Sequence, residues 1–405
     1  MIGEDFVEGS QYELALDTSV PLNFTTVRFD SLRTSQEERL LVGGRSGTEF
    51  GDFTTLSYFM IDLVSNEVDD EIDLEGDLIY DSITLFVPFD GYSVYLEEEI
   101  RRSTLIVEQL KEELEYPEDD GALFNFSEVP GVTTSAGIKI GEQQFFIASD
   151  RLRDQEIRLS DGLGEDLFAR LLDDDEIFND LDDSGEYLQG FRIYLEDPDF
   201  LLGIEREGVR LRLHATDVST STRLNIQIDF EIGFTPHFVE YRNDNVPEIL
   251  QVEDVEEEVA SDDFDNTTLV MGGVGFAAKV ELTETRQILL PGDEFILVNA
   301  ELRIHWLEQG HETGNVQLIA QFIDEDFNDL SAQRFPLQRE FDDEYGRDNF
   351  YVLNATEIVE FILRQPLGDR YYLLITSQDY NSTPTPVLLG DGSLESEMKI
   401  YTIKN

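Results

Sequence analysis

Hydrophobic and polar residues alternate with a period of two along most of the chain. Leu224, Ile226, Ile228, Phe230 and Ile232 fall on one side of an extended segment, and Asn225, Gln227, Asp229 and Glu231 on the other, which predicts a half-buried strand. The same phase sets Val209, Leu211 and Leu213 inward against Arg210, Arg212 and His214, and Ile83, Leu85, Val87 and Phe89 inward against Ser82 and Thr84. Val298-Ala300-Leu302-Ile304-Trp306 and Val316-Leu318-Ala320-Phe322 repeat the pattern further on. Strands with one apolar and one polar face assemble into antiparallel sheets that pack on one side and meet water on the other. Helical periodicity is sparse. Glu165 and Asp166 ahead of Leu167, Phe168, Leu171 and Leu172 predict one short helix, and Asn354 with Glu357 ahead of Ile358, Phe361 and Ile362 predicts another. Residues 97–115 read both ways: their Glu and Leu content favours helix, and Thr104-Leu105-Ile106-Val107 favours strand.

Five elements recur in one order: a Gly-Gly strand, an alternating strand, a short helix, an aromatic-aliphatic strand and a closing strand. The first set is Leu40-Leu41-Val42-Gly43-Gly44, 82–89, 164–172, Phe191-Arg192-Ile193-Tyr194-Leu195 and 208–214. The second is Leu269-Val270-Met271-Gly272-Gly273, 297–306, 356–363, Tyr371-Tyr372-Leu373-Leu374-Ile375 and 397–403. Duplication of a domain explains the order, and chance matching of short apolar strands explains it too. Residues 243–268 carry eight acidic side chains from Glu253 to Asp265 with little apolar content, the composition of a linker or long loop. A chain of 405 residues exceeds one ordinary core. The expected architecture is therefore all-β: two tandem antiparallel β-sandwich, jelly-roll-like domains with a few short helices. An N-terminal arm would span 1–30, a first sandwich 31–242, the acidic linker 243–268 and a second sandwich 269–405.

Composition narrows the chemistry. Against 88 Asp plus Glu stand 28 Lys plus Arg, a formal charge of −60 that repels phosphate backbones and anionic lipid. Lysine occurs only at Lys111, Lys139, Lys279, Lys399 and Lys404. An acidic, Lys-poor surface suits saline water, where the Debye length shrinks from about 10 Å at 0.1 M to about 3 Å at 1 M. The absence of Cys removes disulfides, thiolate nucleophiles and Cys-ligated metals. No run approaches the roughly 20 apolar residues of a membrane helix, and Met1-Ile2-Gly3-Glu4-Asp5 lacks the basic and apolar regions of a signal peptide.

Individual motifs favour structural readings. Gly272-Gly273-Val274-Gly275-Phe276-Ala277-Ala278-Lys279 has the glycines of a phosphate loop, but it runs into the alternating segment Lys279-Val280-Glu281-Leu282-Thr283 and lacks the Gly-Lys-Ser/Thr ending; a bend or bulge is expected. His214, His237, His305 and His311 show no metal-ligand spacing, and His214 and His305 fall on polar strand faces, where a solvated role is expected. Acidic clusters at 173–176, 182–183, 262–265, 324–326 and 342–344 lack the loop spacing of a dedicated calcium site and would hold calcium only adventitiously. Trp306 is in phase with core positions, and Tyr371-Tyr372 or Tyr92-Tyr95 could stack a sugar if exposed. No catalytic, cofactor-binding or metal-ligating residue is nominated.

Several ordered segments carry a family resemblance: Ile2-Gly3-Glu4-Asp5-Phe6, Thr26-Val27-Arg28-Phe29-Asp30-Ser31-Leu32, Leu40-Leu41-Val42-Gly43 and Glu49-Phe50-Gly51. Then come Tyr80-Asp81-Ser82-Ile83-Thr84-Leu85, Gly190-Phe191-Arg192-Ile193-Tyr194, Phe238-Val239-Glu240-Tyr241-Arg242-Asn243-Asp244, Met271-Gly272-Gly273-Val274-Gly275, Val298-Asn299-Ala300-Glu301-Leu302 and Met398-Lys399-Ile400-Tyr401-Thr402. In this order they resemble a family of Bacteroidota outer-membrane lipoproteins, the domain of unknown function 4270. More weakly, the Leu-Val-Gly-Gly strand followed by Ser-Ile-Thr-Leu is similar to jelly-roll modules beside surface polysaccharide enzymes.

The resemblance implies an outer-membrane or cell-surface location and a lipid anchor at a cysteine just before the Ile-Gly segment, a cysteine this sequence does not contain. It brings no catalytic residues. The leading expectation is a non-enzymatic surface protein that binds or assembles with an envelope protein or an extracellular glycan, with no nucleic-acid partner and no cofactor. A carbohydrate-binding protein is one alternative and requires an exposed aromatic pair beside polar groups. A carboxylate-dependent glycan hydrolase is another and requires two carboxyl groups roughly 5 to 9.5 Å apart, one of them held protonated. A calcium-dependent adhesin is the third.

Overall fold

The structure, a computed structural model, describes residues 13–20, 22–35, 37–67, 77–94, 100–117, 121–129, 131–147, 152–196, 198–219, 224–252, 255, 257–282, 285, 295–307, 316–342, 347–365, 369–382 and 384–404. The fold is all-β, built of antiparallel sheets. The chain divides into two compact units: a continuous unit, Ser31–Pro247, and a split unit made from Met1–Asp30 together with Glu248–Asn405.

The chain opens with β1 (Glu13–Val20) and β2 (Asn23–Arg28), both of the split unit. The continuous unit then contains β3 (Arg39–Thr48), β4 (Gly51–Phe59), β5 (Asp62–Glu67), β6 (Leu78–Val87), β7 (Phe89–Val94), β8 (Arg101–Gln109), β9 (Ile138–Ile147) and β10 (Gln155–Arg158). Helices α1 (Asp161–Leu172) and α2 (Leu181–Leu188) follow, then β11 (Phe191–Glu196), β12 (Leu201–Glu205), β13 (Arg210–Asp217), β14 (Leu224–Glu231) and β15 (His237–Asp244). One sheet runs β10-β6-β13-β14-β5, and the other β7-β12-β3-β4-β11-β8-β9 with β15 on the remaining edge of β4. Alternation explains the first sheet directly: Ile83, Leu85, Leu211, Leu213, Ile228 and Phe230 are fully buried.

The split unit continues with β16 (Val259–Ala260), β17 (Thr267–Val270), β18 (Phe276–Glu281), β19 (Phe295–Leu307), β20 (Leu318–Asp324), β21 (Phe335–Pro336), β22 (Gln338–Asp342) and β23 (Arg347–Asn354). After α3 (Thr356–Arg364) come β24 (Tyr371–Ser377), β25 (Val387–Gly390) and β26 (Glu397–Lys404). Its sheets run β1-β26-β19-β23-β22, with β25 joined to β17 and β19, and β16-β2-β18-β24-β20-β21. The core gathers Leu22, Phe24, Val280, Leu302, Ile304, Trp306, Ile358, Leu373 and Ile400.

Both units use one pairing scheme. In the continuous unit β12 pairs β3, β4 pairs β11 and β15, and β8 pairs β11 and β9. In the split unit β25 pairs β17, β18 pairs β24 and β2, and β20 pairs β24 and β21. Likewise β6 pairs β13 and β10, and β13 pairs β14; their counterparts are β19 with β26 and β23, and β26 with β1. Helices α1 and α3 occupy matching places, between β10 and β11 and between β23 and β24. The consecutive strands β14 and β15, one in each sheet of the continuous unit, thus correspond to β1 and β2.

Two sequence boundaries change as a result. Residues 1–30, expected as an arm, contain β2, which is paired on both sides by β16 and β18. Its partner strands lie some 250 positions away, so no local pattern marks it as part of that sheet. The acidic stretch 243–268 includes the end of β15, the strand β16 and the start of β17, and of its apolar side chains Leu250, Val252 and Val259 are buried. The ambiguous region resolves as strand over Arg101–Gln109, because β11 and β9 satisfy its backbone on both edges.

Smaller departures have local causes. Val298 is 48% exposed, contrary to its phase, because the β19–β26 register slips between Leu297 and Asn299 and makes it the extra residue of a bulge. Leu224, also expected inside, is exposed at the loop end of the β13–β14 hairpin, opposite Asp217. Helix α2 escaped notice because its start is set by a side chain, Asp180 accepting from the Asp182 and Asp183 N–H groups.

Gly43 sits where β3 passes from β12 to β4, at φ +123°, and a Cβ there would lie 2.1 Å from the Phe200 carbonyl oxygen. Gly43→Ala should lower stability by more than about 2 kcal/mol, read as a lower urea midpoint at unchanged m. An unchanged midpoint would contradict this geometry.

Candidate functional site

Among the clefts of the split unit, three measure ≈ 730, ≈ 430 and ≈ 850 Å³. The first, ≈ 730 Å³, is lined by Val298, Asn299, Glu301, Gln333, Gln338, Asn354, Thr356 and Glu357 around Ala300, Phe335 and Leu353. The β19 bulge delivers Asn299 to it, and the start of α3 delivers Thr356. Thr356 organises the wall: its hydroxyl oxygen accepts from the Ala300 N–H at 2.9 Å and lies 2.9 Å from Asn299 Oδ1 and 2.7 Å from Asn354 Oδ1. Asn354 also accepts from the Thr356 N–H at 3.1 Å, the capping role expected of it, although the helix begins one residue later than that cap implies. The Thr356 hydroxyl has one proton and donates it to only one of these two amide oxygens at a time. A smaller cleft of ≈ 430 Å³ shares Pro336 and Gln338 with it and adds Gln317, Arg339, Tyr351 and Gln378. Arg339 there stacks 4.6 Å over Trp306, which is core, as its phase predicted.

The third cleft, ≈ 850 Å³, lies between the β1–β2 corner and the β25–β26 turn, with Asp262, Asp391, Ser393, Glu395, Ser396 and Glu397 on its polar side. Asp391 is 4% exposed and committed: it accepts from Ser261 Oγ at 2.7 Å and from the Ser393 N–H at 2.7 Å. The common pairing scheme makes Asp391 the counterpart of Arg206. Each follows its strand directly and donates its N–H to the residue before the Gly-Gly strand, Asp391 to Asn266 O and Arg206 to Glu38 O. In the continuous unit the Arg206 guanidinium reaches the hairpin corner, donating to Gly233 O at 3.0 Å.

The continuous unit holds a buried polar network that sequence reading missed. Arg192 on β11 pairs with Glu108 on β8, both under a tenth exposed. Tyr194 donates to Glu108 at 2.9 Å and the Gly137 N–H at 3.0 Å. On the next strands Tyr58 donates to Glu240 at 2.6 Å and Arg242 grips the same carboxylate at 2.7 and 3.1 Å. Burial pushes the Glu108 carboxyl up, but the hydrogen bonds from Arg192 and Tyr194 outweigh it and the net direction is down. Tyr194 is pushed up to about 12 by burial and by Glu108. The available signal was a charge interrupting an apolar run: Glu108 after Leu105-Ile106-Val107, and Arg192 between Phe191 and Ile193.

The nominated motifs fare differently. Met271 and Phe276 exchange backbone hydrogen bonds across Gly272–Gly275, so the glycine run is a turn, and Lys279 is buried against Glu258 and the Tyr372 ring. Tyr371 and Tyr372 are 6% and 8% exposed, which removes them as a sugar platform: β24 is an interior strand with both faces covered. Tyr92 lies beneath Arg39, and Tyr95 is outside the described residues. His214, expected in solvent, is half-buried in a cross-strand ladder, 3.0 Å from Thr84 and 3.2 Å from Glu156. His237 is buried with Nδ1 3.1 Å from Thr235 O, His305 packs on Phe350, and His311 is outside the described residues. Among the described residues no three or more His, Asp or Glu are grouped to hold a metal ion. Several acidic runs instead organise backbone: Asp175 and Asp180 cap helices, and Asp324 accepts from the Asp326 and Asn328 N–H groups. Asp343 and Glu344 lie outside the described residues.

Glu113 is displaced upward from the ordinary carboxylate range by burial first, then by Glu115, Glu186 and Asp182. Gly185 of α2 closes over it: a Cβ there would stand 2.0 Å from Glu113 Oε1.

No family model matches the chain, and no curated protein matches it. Among solved structures, the C-terminal domain of the Streptococcus agalactiae AgI/II polypeptide BspA is 6% identical at a TM-score of 0.16, covering 87% of this chain and 90% of that one. The infectious bursal disease virus VP2 subviral particle is 11% identical at a TM-score of 0.12, covering 98% and 80%. Likeness at this level carries no argument about fold or function.

Two predictions follow from the charged groups. Arg192→Met should cost about 3 to 5 kcal/mol by stranding Glu108, whereas Glu108→Leu combined with Arg192→Met should cost less than the sum of the single changes, as a denaturation double-mutant cycle would record. For Glu113, a raised folded pKa means the native state binds the extra proton, so stability is lost as pH rises through that pKa. Glu113→Gln should therefore exceed the parent in melting temperature at pH 7, with the gap closing below about pH 4.

Proposed function

We propose that the protein is a non-catalytic cell-surface binding protein whose ligand is an extracellular glycan held in the amide-lined cleft of the split unit, in place of the exposed aromatic pair that the sequence reading required and this cleft lacks. The observation that carries this reading is the lining itself: Asn299, Gln333, Gln338, Asn354 and Thr356 surround an apolar floor of Ala300, Phe335 and Leu353. Amides and hydroxyls offer donors and acceptors in equal measure, the demand made by a polyhydroxylated ligand, and the floor suits the C–H face of a sugar ring. The negative surface favours neutral sugars over sulfated or uronic ones, since like charges repel. The outer-membrane location and lipid anchor rest on the resemblance to the lipoprotein family.

Catalysis has less support. The carboxyl pushed upward, Glu113, belongs to the continuous unit and lines none of these three clefts. In the ≈ 850 Å³ cleft Asp391 is tied to Ser261 and a backbone N–H.

Titration against soluble neutral polysaccharides should show saturable binding, and Gln338→Ala with Asn354→Ala should weaken it at least about tenfold, the equivalent of about 1.4 kcal/mol, without changing the circular dichroism spectrum. Binding untouched by the double change would remove the cleft from the argument. Release of reducing ends during prolonged incubation would overturn the non-catalytic reading. No glycan binding, together with reproducible recovery of one envelope protein from solubilised membranes, would favour assembly over sugar recognition.

A further inference from the structure

The strand path that borders the amide-lined cleft differs between the two units. In the continuous unit β9 stays on β8, from Ile138 opposite Gln109 to Ile147 opposite Arg101. Among the described residues it pairs with the other sheet at one isolated bridge, Gly141 with Leu159 just beyond β10. The counterpart in the split unit keeps two residues on β20, Phe335 and Pro336, and then changes sheets. Leu337 still donates its N–H to Leu318 O at 2.9 Å, and Gln338 already stands opposite Val352 of β23. Leu337 joins the core at this crossing, while Pro336 and Gln338 on either side of it are exposed.

The ≈ 730 and ≈ 430 Å³ clefts meet at the crossing, since Pro336 and Gln338 line both. Each volume falls within the roughly 300–1,000 Å³ of sites that enclose small ligands. Polar groups continue from one to the other: Asn299, Asn354 and Thr356 border the first, Gln338 the junction, and Gln317 and Gln378 the second. Gln378 donates its N–H to Gln317 O at 2.8 Å, which sets these two exposed side chains on adjoining strand ends. Flat groups belong to the second cleft as well. Arg339 lies 4.6 Å over Trp306 and 5.6 Å over Tyr351, whose hydroxyl donates to Val316 O at 2.8 Å. Along β23, Tyr351 of the second cleft and Asn354 of the first are three residues, about 10 Å, apart.

We infer that the two clefts form one groove, which reads a neutral glycan along several consecutive sugar residues lying across Pro336 and Gln338, not at a single terminal residue. This rests on the glycan reading of the first cleft and extends it. One ring seated in one cleft leaves the amides of the other to water. A chain engages both sets within a single association, so residues added up to the length of the groove add affinity without a second loss of translational freedom. Pro336 suits the junction, because it has no N–H to be desolvated where the chain passes.

The test is a length series. Oligomers of two to six residues are prepared by partial acid hydrolysis from whichever of mannan, xylan, laminarin and dextran binds, and each is titrated calorimetrically against the whole chain. The tetramer should bind at least about tenfold tighter than the dimer, the equivalent of about 1.4 kcal/mol. Gln317→Ala combined with Gln378→Ala should reduce that ratio below about threefold while the circular dichroism spectrum is unchanged. Equal affinity of the parent for dimer and tetramer overturns the single groove and leaves the one-cleft glycan reading standing, as does a ratio preserved in the folded double variant. Binding by none of the four polysaccharides overturns the glycan reading, and the groove with it.

Discussion

Completion of each two-sheet unit by two consecutive strands, one joining each sheet, is the constraint on which the rest depends. A strand edge with unmatched N–H and C=O groups beside an uncovered apolar layer is costly, and both units meet that cost with the same pairings. In the split unit the solution reaches across almost the whole sequence: Phe24 near one terminus packs in the same core as Ile400 near the other. The β1–β2 corner also lines the ≈ 850 Å³ cleft, so the closing contact and the open surface are parts of one construction.

The shared scheme turns the two units into controls for each other. At matched positions the continuous unit places Arg206, whose guanidinium bonds to the carbonyl of its own hairpin corner, and the split unit places Asp391, whose carboxylate bonds to Ser261 and a turn N–H. Polar groups in the continuous unit are similarly turned inward, with Glu108, Arg192, Tyr194, Glu240 and Arg242 bonded to one another. Glu108 and Arg192 are buried as a pair, which avoids a large desolvation cost, although Arg192 Nε is left without a hydrogen-bond partner. Amide groups around the β19 bulge are differently placed, at a concave surface with apolar atoms beneath. That contrast is the reason for assigning recognition to the split unit.

Much of the local structure was legible in the order of residues. Ile226, Ile228 and Phe230 are buried while Asn225 and Gln227 are exposed, as alternation requires. Trp306 is core, the glycines at 272–275 form a turn, and the five recurring elements fall at equivalent places in the two units. Legibility failed where a neighbour altered the phase or supplied a partner. Val298 turned outward at a bulge, and Tyr371 and Tyr372 were covered on both faces. The amide cleft left no mark at all, because Asn299, Gln338 and Asn354 come from three strands with no common spacing.

By itself the sequence determined the secondary structure class, the side of each strand that faces inward and the strongly acidic surface, since period-two sterics and side-chain polarity act over a few neighbouring residues. Only the tertiary structure decided that residues 13–28 close the unit formed by 248–404, which side chains share a cleft, and which charges are buried as pairs. Pairing across such separations is selected by complementary registers and by the burial that follows closure, quantities that exist only once distant strands meet.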